Sequence, residues 1–546
     1  MDISMGREIN IDLIRALEKQ IDEGEGDEIK LKRARNSLLN ISTRVPPEIL
    51  GYIFGWNLIR EADHSLESLS HFAGLEKGSY NFLLVCHHWF EVASRTPELW
   101  SFWGNTLQDW GKRHGHPGSA PFDLVLHRYE SDPAVLFDES LQDAIGSHVM
   151  RDTIRQVHLT SDDGHTLTSI ISSLTPNDEG CRNENIELIV WLNGGYPSVE
   201  VSNFFARSHL SRLRLLDLSG NFWISSWDFL APRTTLLTAL SLEISTSEPS
   251  PTLTTSQLFS ILTSNPNLRE LVLSDAALPN DADTSSLEVV LHNLKTLSLT
   301  GEFRHLFGLL HRLILPEVLD ELRLGMSDPT VEDISQTFGP YIRAYFQHTR
   351  FQDILELHSS SFHGLISISV GITRTQTTVP EQRVRWVQLV VTLTDQPPDI
   401  REQLFIELVT LVPLERIVSL DTNGGTKIPE ELFCMMPNIE TMRISCAELS
   451  KGFLQPNPDG PYATTKLLPS LRLLRLVYVV LQNDDDWGHL VTYLAHQTSD
   501  GQTISLEVIG EFPYERPEVA NGIKGLVKEF SYYRNPWVKE DVVGEE

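Results

Sequence analysis

The chain has 546 residues, with 44 lysines and arginines against 74 aspartates and glutamates, a formal net charge of −30. That balance excludes a nucleic-acid binder relying on an overall basic surface, because phosphate affinity is supplied mainly by Lys and Arg. With 41% hydrophobic and 22% charged residues it is a chain that buries a core, which excludes wholesale disorder. Four cysteines, Cys86, Cys181, Cys434 and Cys446, are too few and too scattered for a disulfide framework. The start, Met1 to Glu8, lacks a signal-peptide pattern, and no window approaches 18 consecutive apolar residues. The expected setting is a soluble chain without a membrane partner, in the cytoplasm, the nucleus or both.

In chain order, Ile11, Ile14, Leu17 and Ile21, then Leu31, Ala34 and Leu38, recur every three or four residues and predict two amphipathic helices. Glu23-Gly24-Glu25-Gly26-Asp27 interrupts them with two glycines and repelling carboxylates. Next, Arg44-Val45-Pro46-Pro47-Glu48-Ile49-Leu50 runs on to Ile53 and Phe54; its prolines suit a helix start, and its apolar residues share a face. A second helix is predicted over Phe82 to Ala93, ending before Pro97, and Leu99-Trp100 follows. A bundle this small leaves some large side chains uncovered, which marks a partner surface.

From about residue 120 the texture changes to short leucine-rich runs. Leu213, Leu237, Leu268, Leu294 and Leu319 each open a Leu-x-x-Leu-x-Leu run. These openings lie near the 20–29-residue spacing of leucine-rich repeats, with one longer unit. Looser copies begin at Ile154, Ile186, Leu365, Ile439 and Leu471, and Trp386–Leu393 and Leu414–Leu420 are candidate further strands. Strand alternation points the second and third leucines into the stack and the residues beside them to the open face. Asn265-Pro266-Asn267 and Leu468-Pro469-Ser470 mark turns into strands, and Leu258 to Leu262 is a plausible return helix. One unit cannot bury its leucines alone, but stacked neighbours can.

On the open face the early units present Leu215, Asp217, Ala239, Glu243 and Glu270, whereas later ones present Arg323, Arg416, Arg443 and Arg475. Guanidinium forks suit carboxylate and phosphate oxygens, so these four arginines are candidates to bind an acidic or phosphorylated segment of another protein. The alternative is that each pairs with a neighbouring carboxylate. Catalytic signatures are missing: there is no Gly-x-Ser-x-Gly, His-Glu-x-x-His or phosphate-loop motif. His87-His88 lacks a partner ligand at helical spacing, and Asp484-Asp485-Asp486 reads as a solvated loop. No metal or other cofactor is expected.

The blocks Val45-Pro46-Pro47-Glu48-Ile49-Leu50 with Ile53-Phe54, Val85-Cys86-His87-His88-Trp89, and Thr96-Pro97-Glu98-Leu99-Trp100 together resemble an F-box of the fungal, basidiomycete-like kind. Val45 stands where the family has leucine, His87 where it has a basic residue, and Gly55 to Asn81 exceeds its usual spacer. The resemblance implies that Pro46, Ile49, Leu50, Ile53, Val85, Cys86, Trp89 and Trp100 form or underlie the surface gripping the Skp adaptor. The implied fold class is α/β: an all-α F-box-like module followed by a leucine-rich-repeat horseshoe. The expected parts are a helical segment at 1–43, the F-box-like domain at 44–103, a linker or first solenoid elements at 104–149, the solenoid at 150–511 and a tail at 512–546. The implied role is that of a non-catalytic substrate receptor in an SCF-type ubiquitin ligase, with the adaptor, the cullin scaffold and a target protein as partners. The alternative is a leucine-rich-repeat scaffold with a degenerate F-box and no part in ubiquitin transfer.

Overall fold

The computed structural model describes residues 11–22, 102–103, 122–128, 154–174, 188–202, most of 213–245 and, with interruptions, 253–534, plus isolated positions between 30 and 92 and at 205. It is a mixed α/β structure built on mostly parallel β-sheet. The chain divides into two compact units, Met1–Leu237 with Ser245–Pro251, and Thr238–Ile244 with Thr252–Glu546. The change of unit falls inside the stretch expected to form one array.

The first unit contains α1 (Ile11–Asp22) and strands β1 (Phe102–Trp103), β2 (Phe122–Arg128), β3 (Ile154–Asp163), β4 (Leu188–Glu200) and β5 (Leu213–Trp223). Each strand pairs with the next in parallel. Among the described residues strand pairing therefore begins at residue 102, inside the expected F-box-like domain. Parallel neighbours need a crossover, and α2 (Gly164–Leu174) supplies one after β3. Asp163 accepts from the His165 backbone N–H at its start, and Leu167, Ile170 and Ile171 are buried. At Gly194 in β4 an added Cβ would lie 3.0 Å from the Phe222 ring and 3.3 Å from Leu167, so those side chains would have to give way to it.

The second unit begins with β6 (Ala239–Ile244), β7 (Glu270–Leu273), β9 (Thr296–Glu302) and β11 (Glu321–Ser327), paired in parallel in that order, while the short β8 (Val289–Val290) and β10 (Leu313–Ile314) pair with each other. Leu240, Leu271, Leu297 and Leu322 stand opposite one another, with Leu273, Leu299 and Leu324 two residues on, and all are buried. The return helix expected around Leu258 is α3 (Thr255–Ser264), held by a capping box in which Thr254 and Gln257 exchange hydrogen bonds. Helix α4 (Phe303–Leu310) follows β9 and buries Phe303, Leu306, Leu309 and Leu310. Side-chain amides tie successive turns together: Asn293 donates to the Pro266 carbonyl, Asn438 to that of Glu415 and Gln502 to that of Leu471.

After β11 the order inverts. A π-helical turn over Asp333–Phe338 and α5 (Gly339–His348) lead to β12 (Ile354–Phe362), followed by β13 (Leu365–Thr373) and β14 (Arg385–Thr392). β14 pairs with β11 in parallel, β13 runs antiparallel to both β14 and β12, and β12 pairs in parallel with β15 (Ile417–Gly424). The spatial order is thus β11, β14, β13, β12, β15. The Leu365 run, expected as another parallel unit, is therefore an antiparallel strand. Only two residues separate β12 from β13, with Phe362 opposite Leu365, and so short a link permits only a hairpin. Its inward residues Ile366, Ile368 and Val370 are buried nonetheless.

From β15 the sheet is parallel again through β16 (Thr441–Ser445), β17 (Leu473–Val477), β18 (Ser505–Gly510) and β19 (Glu529–Arg534). The connecting helices are α6 (Pro398–Val409) before β15, α7 (Glu430–Cys434) before β16, α8 (Asp484–Thr498) before β18 and α9 (Pro517–Leu526) before β19. Two expectations are corrected here. Asp484-Asp485-Asp486 starts α8 rather than lying in a loop, since carboxylates suit a helix N-terminus. The parallel sheet also runs past residue 511, into the expected tail: Ile523 of α9 is fully buried and β19 pairs along β18.

Candidate functional site

Two places carry the residues singled out by sequence. The first is the turn beginning at Pro46, whose carbonyl accepts a 3.0 Å hydrogen bond from the Leu50 N–H. That bond closes one helical turn, and Ile49 and Ile53, four residues apart, fall on the same side of a helix. Leu50 is 2% exposed, whereas Ile49 is 53% and Ile53 is 47% exposed. Pro46 is also exposed, Trp89 is half-buried and Val92 is buried. Leu50 is thus a core residue, and Ile49 and Ile53 are the apolar groups left at the surface. Val85, Cys86 and Trp100 lie outside the described residues.

The second place is the open face of the second unit. Strand register sets Arg323, Gln388, Ser369, His358, Asp421, Arg443, Arg475 and Glu507 in one row across eight strands. Three of the four expected arginines stand in it. Arg416 does not: it closes the 3-10 turn Leu414–Arg416, and Asp421 occupies the equivalent position of β15. The turn after Pro413 delays the strand, so the position inferred from Leu414 falls too early.

The arginines in the row have carboxylate neighbours. Arg323 Nη2 is 3.0 Å from Glu321, Arg443 Nη1 is 3.5 Å from Asp421, and Arg475 Nε donates to Glu507 at 2.6 Å. Arg443 Nε also donates to the Ser445 hydroxyl at 3.1 Å. Arg443 and Arg475 are direct strand partners, an arrangement of like charges that costs energy by itself. Asp421 and Glu507 flank the pair from β15 and β18 and offset part of that cost.

His358, which carries no sequence motif, sits between two carboxylates. Its Nδ1 is 3.4 Å from Asp421 and its Nε2 is 3.8 Å from Glu356. The hydrogen bond to Asp421 raises its pKa above the usual 6.5, with burial opposing and the negative fields of Asp421 and Glu356 adding to the rise. Ser369, His358 and Asp421 are the residue types of a nucleophile, base and acid, but Nε2 turns to Glu356, so the imidazole is not aimed to take a proton from Ser369. The row's chemistry is charge pairing and hydrogen bonding among its own side chains.

Among the described residues no group of three or more His, Cys, Asp or Glu could hold a metal ion, and no helix is long and apolar enough to cross a membrane. No family model matches the chain, and no curated protein matches it significantly. Fold and site together define a mixed α/β protein with a mostly parallel sheet that presents a charged, ion-paired face.

Proposed function

We propose that the chain is the substrate-recognition subunit of an SCF-type ubiquitin ligase: an F-box protein whose leucine-rich repeats hold a target protein. The F-box-like segment docks on the Skp adaptor, which joins it to the cullin scaffold, and the array brings its target near a ubiquitin-conjugating enzyme. The chain itself makes and breaks no bonds; it acts by proximity, in the cytoplasm or nucleus. The observation that carries this reading is the pair of exposed isoleucines, Ile49 and Ile53, above the buried Leu50 in the Pro-Pro-Glu-Ile-Leu segment. Aliphatic groups on one helical side, without charge between them, are what an adaptor groove takes. The aligned buried leucines and recurring return helices support the repeat reading, although the inverted β12–β14 segment departs from a simple array.

Co-purification with the Skp adaptor tests the proposal. The whole chain is expected to retain the adaptor, and Ile49→Asp with Ile53→Asp to lose it; a wild-type chain that retains none makes it a scaffold.

For the target, Arg443 and Arg475 form the best candidate contact. Arg475 uses only its Nε in the bond to Glu507, leaving its two Nη groups for an acidic segment. Replacing both arginines by glutamate is expected to cut target capture several-fold in cells with the proteasome blocked, without affecting adaptor binding. Unchanged capture moves the target site elsewhere.

A further inference from the structure

The joint between β12 and β15 differs from the rest of the second unit's sheet. In the second inward-facing row, Leu242, Leu273, Leu299, Leu324, Leu389, Ile368, Ile444, Leu476 and Val508 are apolar and buried. At this joint the same row holds Ser359 opposite Thr422, both buried, and the Ser359 hydroxyl has no hydrogen-bond partner. The register also slips between Leu355 and Glu356. A polar pair with an unsatisfied hydroxyl and a slipped register holds two strands together less firmly than interlocked leucines do.

On the open face, directly beside Ser359, His358 spans this joint. Both of its ring nitrogens face carboxylate oxygens, Asp421 on β15 and Glu356 on its own strand. Carboxylates only accept hydrogen bonds, and a neutral imidazole has one donor and one lone pair. Only the doubly protonated ring can therefore donate to both sides. From β13 the strand partner of His358 is the neutral Ser369, and from β16 Arg443 reaches Asp421 at 3.5 Å.

We propose that Glu356, His358 and Asp421 form a proton-operated clamp across the β12–β15 joint, closed when the imidazole is protonated and slack when it is neutral. Its pH direction follows from linkage. The folded-state pKa of His358 is raised above 6.5, so the stabilisation is fully present below that value and is lost as pH rises through the higher folded-state value. Arg443 shares Asp421 with the imidazole, so anything that occupies Arg443 is linked to the clamp, and the linkage is reciprocal.

Hydrogen exchange of the full chain tests this. After correction for base-catalysed chemistry, opening of the amides in Ile354–Phe362 and Ile417–Gly424 is expected to increase several-fold between pH 6 and pH 8.5, with β9 and β11 unchanged. His358→Gln should flatten that dependence. A flat wild-type profile, or a dependence that survives in His358→Gln, overturns the clamp. Should the variant fail to fold, the imidazole can be titrated in the wild-type chain by NMR: an apparent pKa above 6.5 that falls on Asp421→Asn supports the clamp, and one at or below 6.5 overturns it.

Discussion

Replacing Leu322 by alanine is expected to lower the stability of the second unit by about 2–5 kcal/mol, the range for deleting a fully buried leucine from a packed core. Leu322 has no exposed surface and lies between Leu297 of β9 and Val387 of β14, where the sequential strands meet the inverted segment. Surrounding strands are fixed by ladder hydrogen bonds on both sides, so the void cannot collapse cheaply. Arg323, the next residue, points to the other face and pairs with Glu321 at the surface. Arg323→Ala is expected to cost at most about 1 kcal/mol. Urea unfolding of the two variants measures the contrast, and equal losses would mean that the face assignment of β11 is wrong.

The second large effect is expected at Gly220 in β5. Its φ of +103° lies where side chains are strained, and a Cβ there would collide with the Gly194 carbonyl oxygen of β4. Backbone strain of this kind costs of order 1–3 kcal/mol, and the collision adds to it by forcing the neighbouring strand away. Gly220→Ala should therefore reduce the thermal stability of the first unit strongly, whereas Gly501→Ala, with φ +83° but open space around the added Cβ, should cost less. A Gly220→Ala chain as stable as the wild type would contradict the close approach of β4 and β5.

Much of the sheet is legible in the sequence because inward positions are chosen by alternation, and alternation is local. Leu240, Leu271, Leu297 and Leu322 stand opposite each other as their spacing predicts, and the turn at Asn265 and the helix before it follow from their own residues. Strand direction is different. Ile366, Ile368 and Val370 alternate equally well read either way, so the inversion of β13 is decided by the two-residue link from Phe362 to Leu365, not by the apolar pattern. The charged row was legible only in part. Arg323, Arg443 and Arg475 follow from register, but Arg416 was displaced by a 3-10 turn that leaves no periodic signature. His358 and Asp421 become neighbours only because β12 and β15 are paired, a non-local event that no local motif records. At the N-terminal site the apolar pattern placed Ile49, Leu50 and Ile53 on one face, whereas Leu50 is buried and Ile49 and Ile53 are exposed, a division that depends on what packs against the turn rather than on the spacing.

The proposed function turns on Ile49 and Ile53 presenting the chain to a Skp adaptor. Its most direct test is equilibrium binding of the purified full-length chain to the purified adaptor by titration calorimetry. A saturable one-to-one complex is expected for the wild type, with affinity weaker by about tenfold or more for Ile49→Asp with Ile53→Asp. Both residues are exposed, so the variant should keep the wild-type far-UV circular dichroism. A wild-type chain that does not bind the adaptor, or a folded variant that binds it equally well, would rule out this role for Ile49 and Ile53.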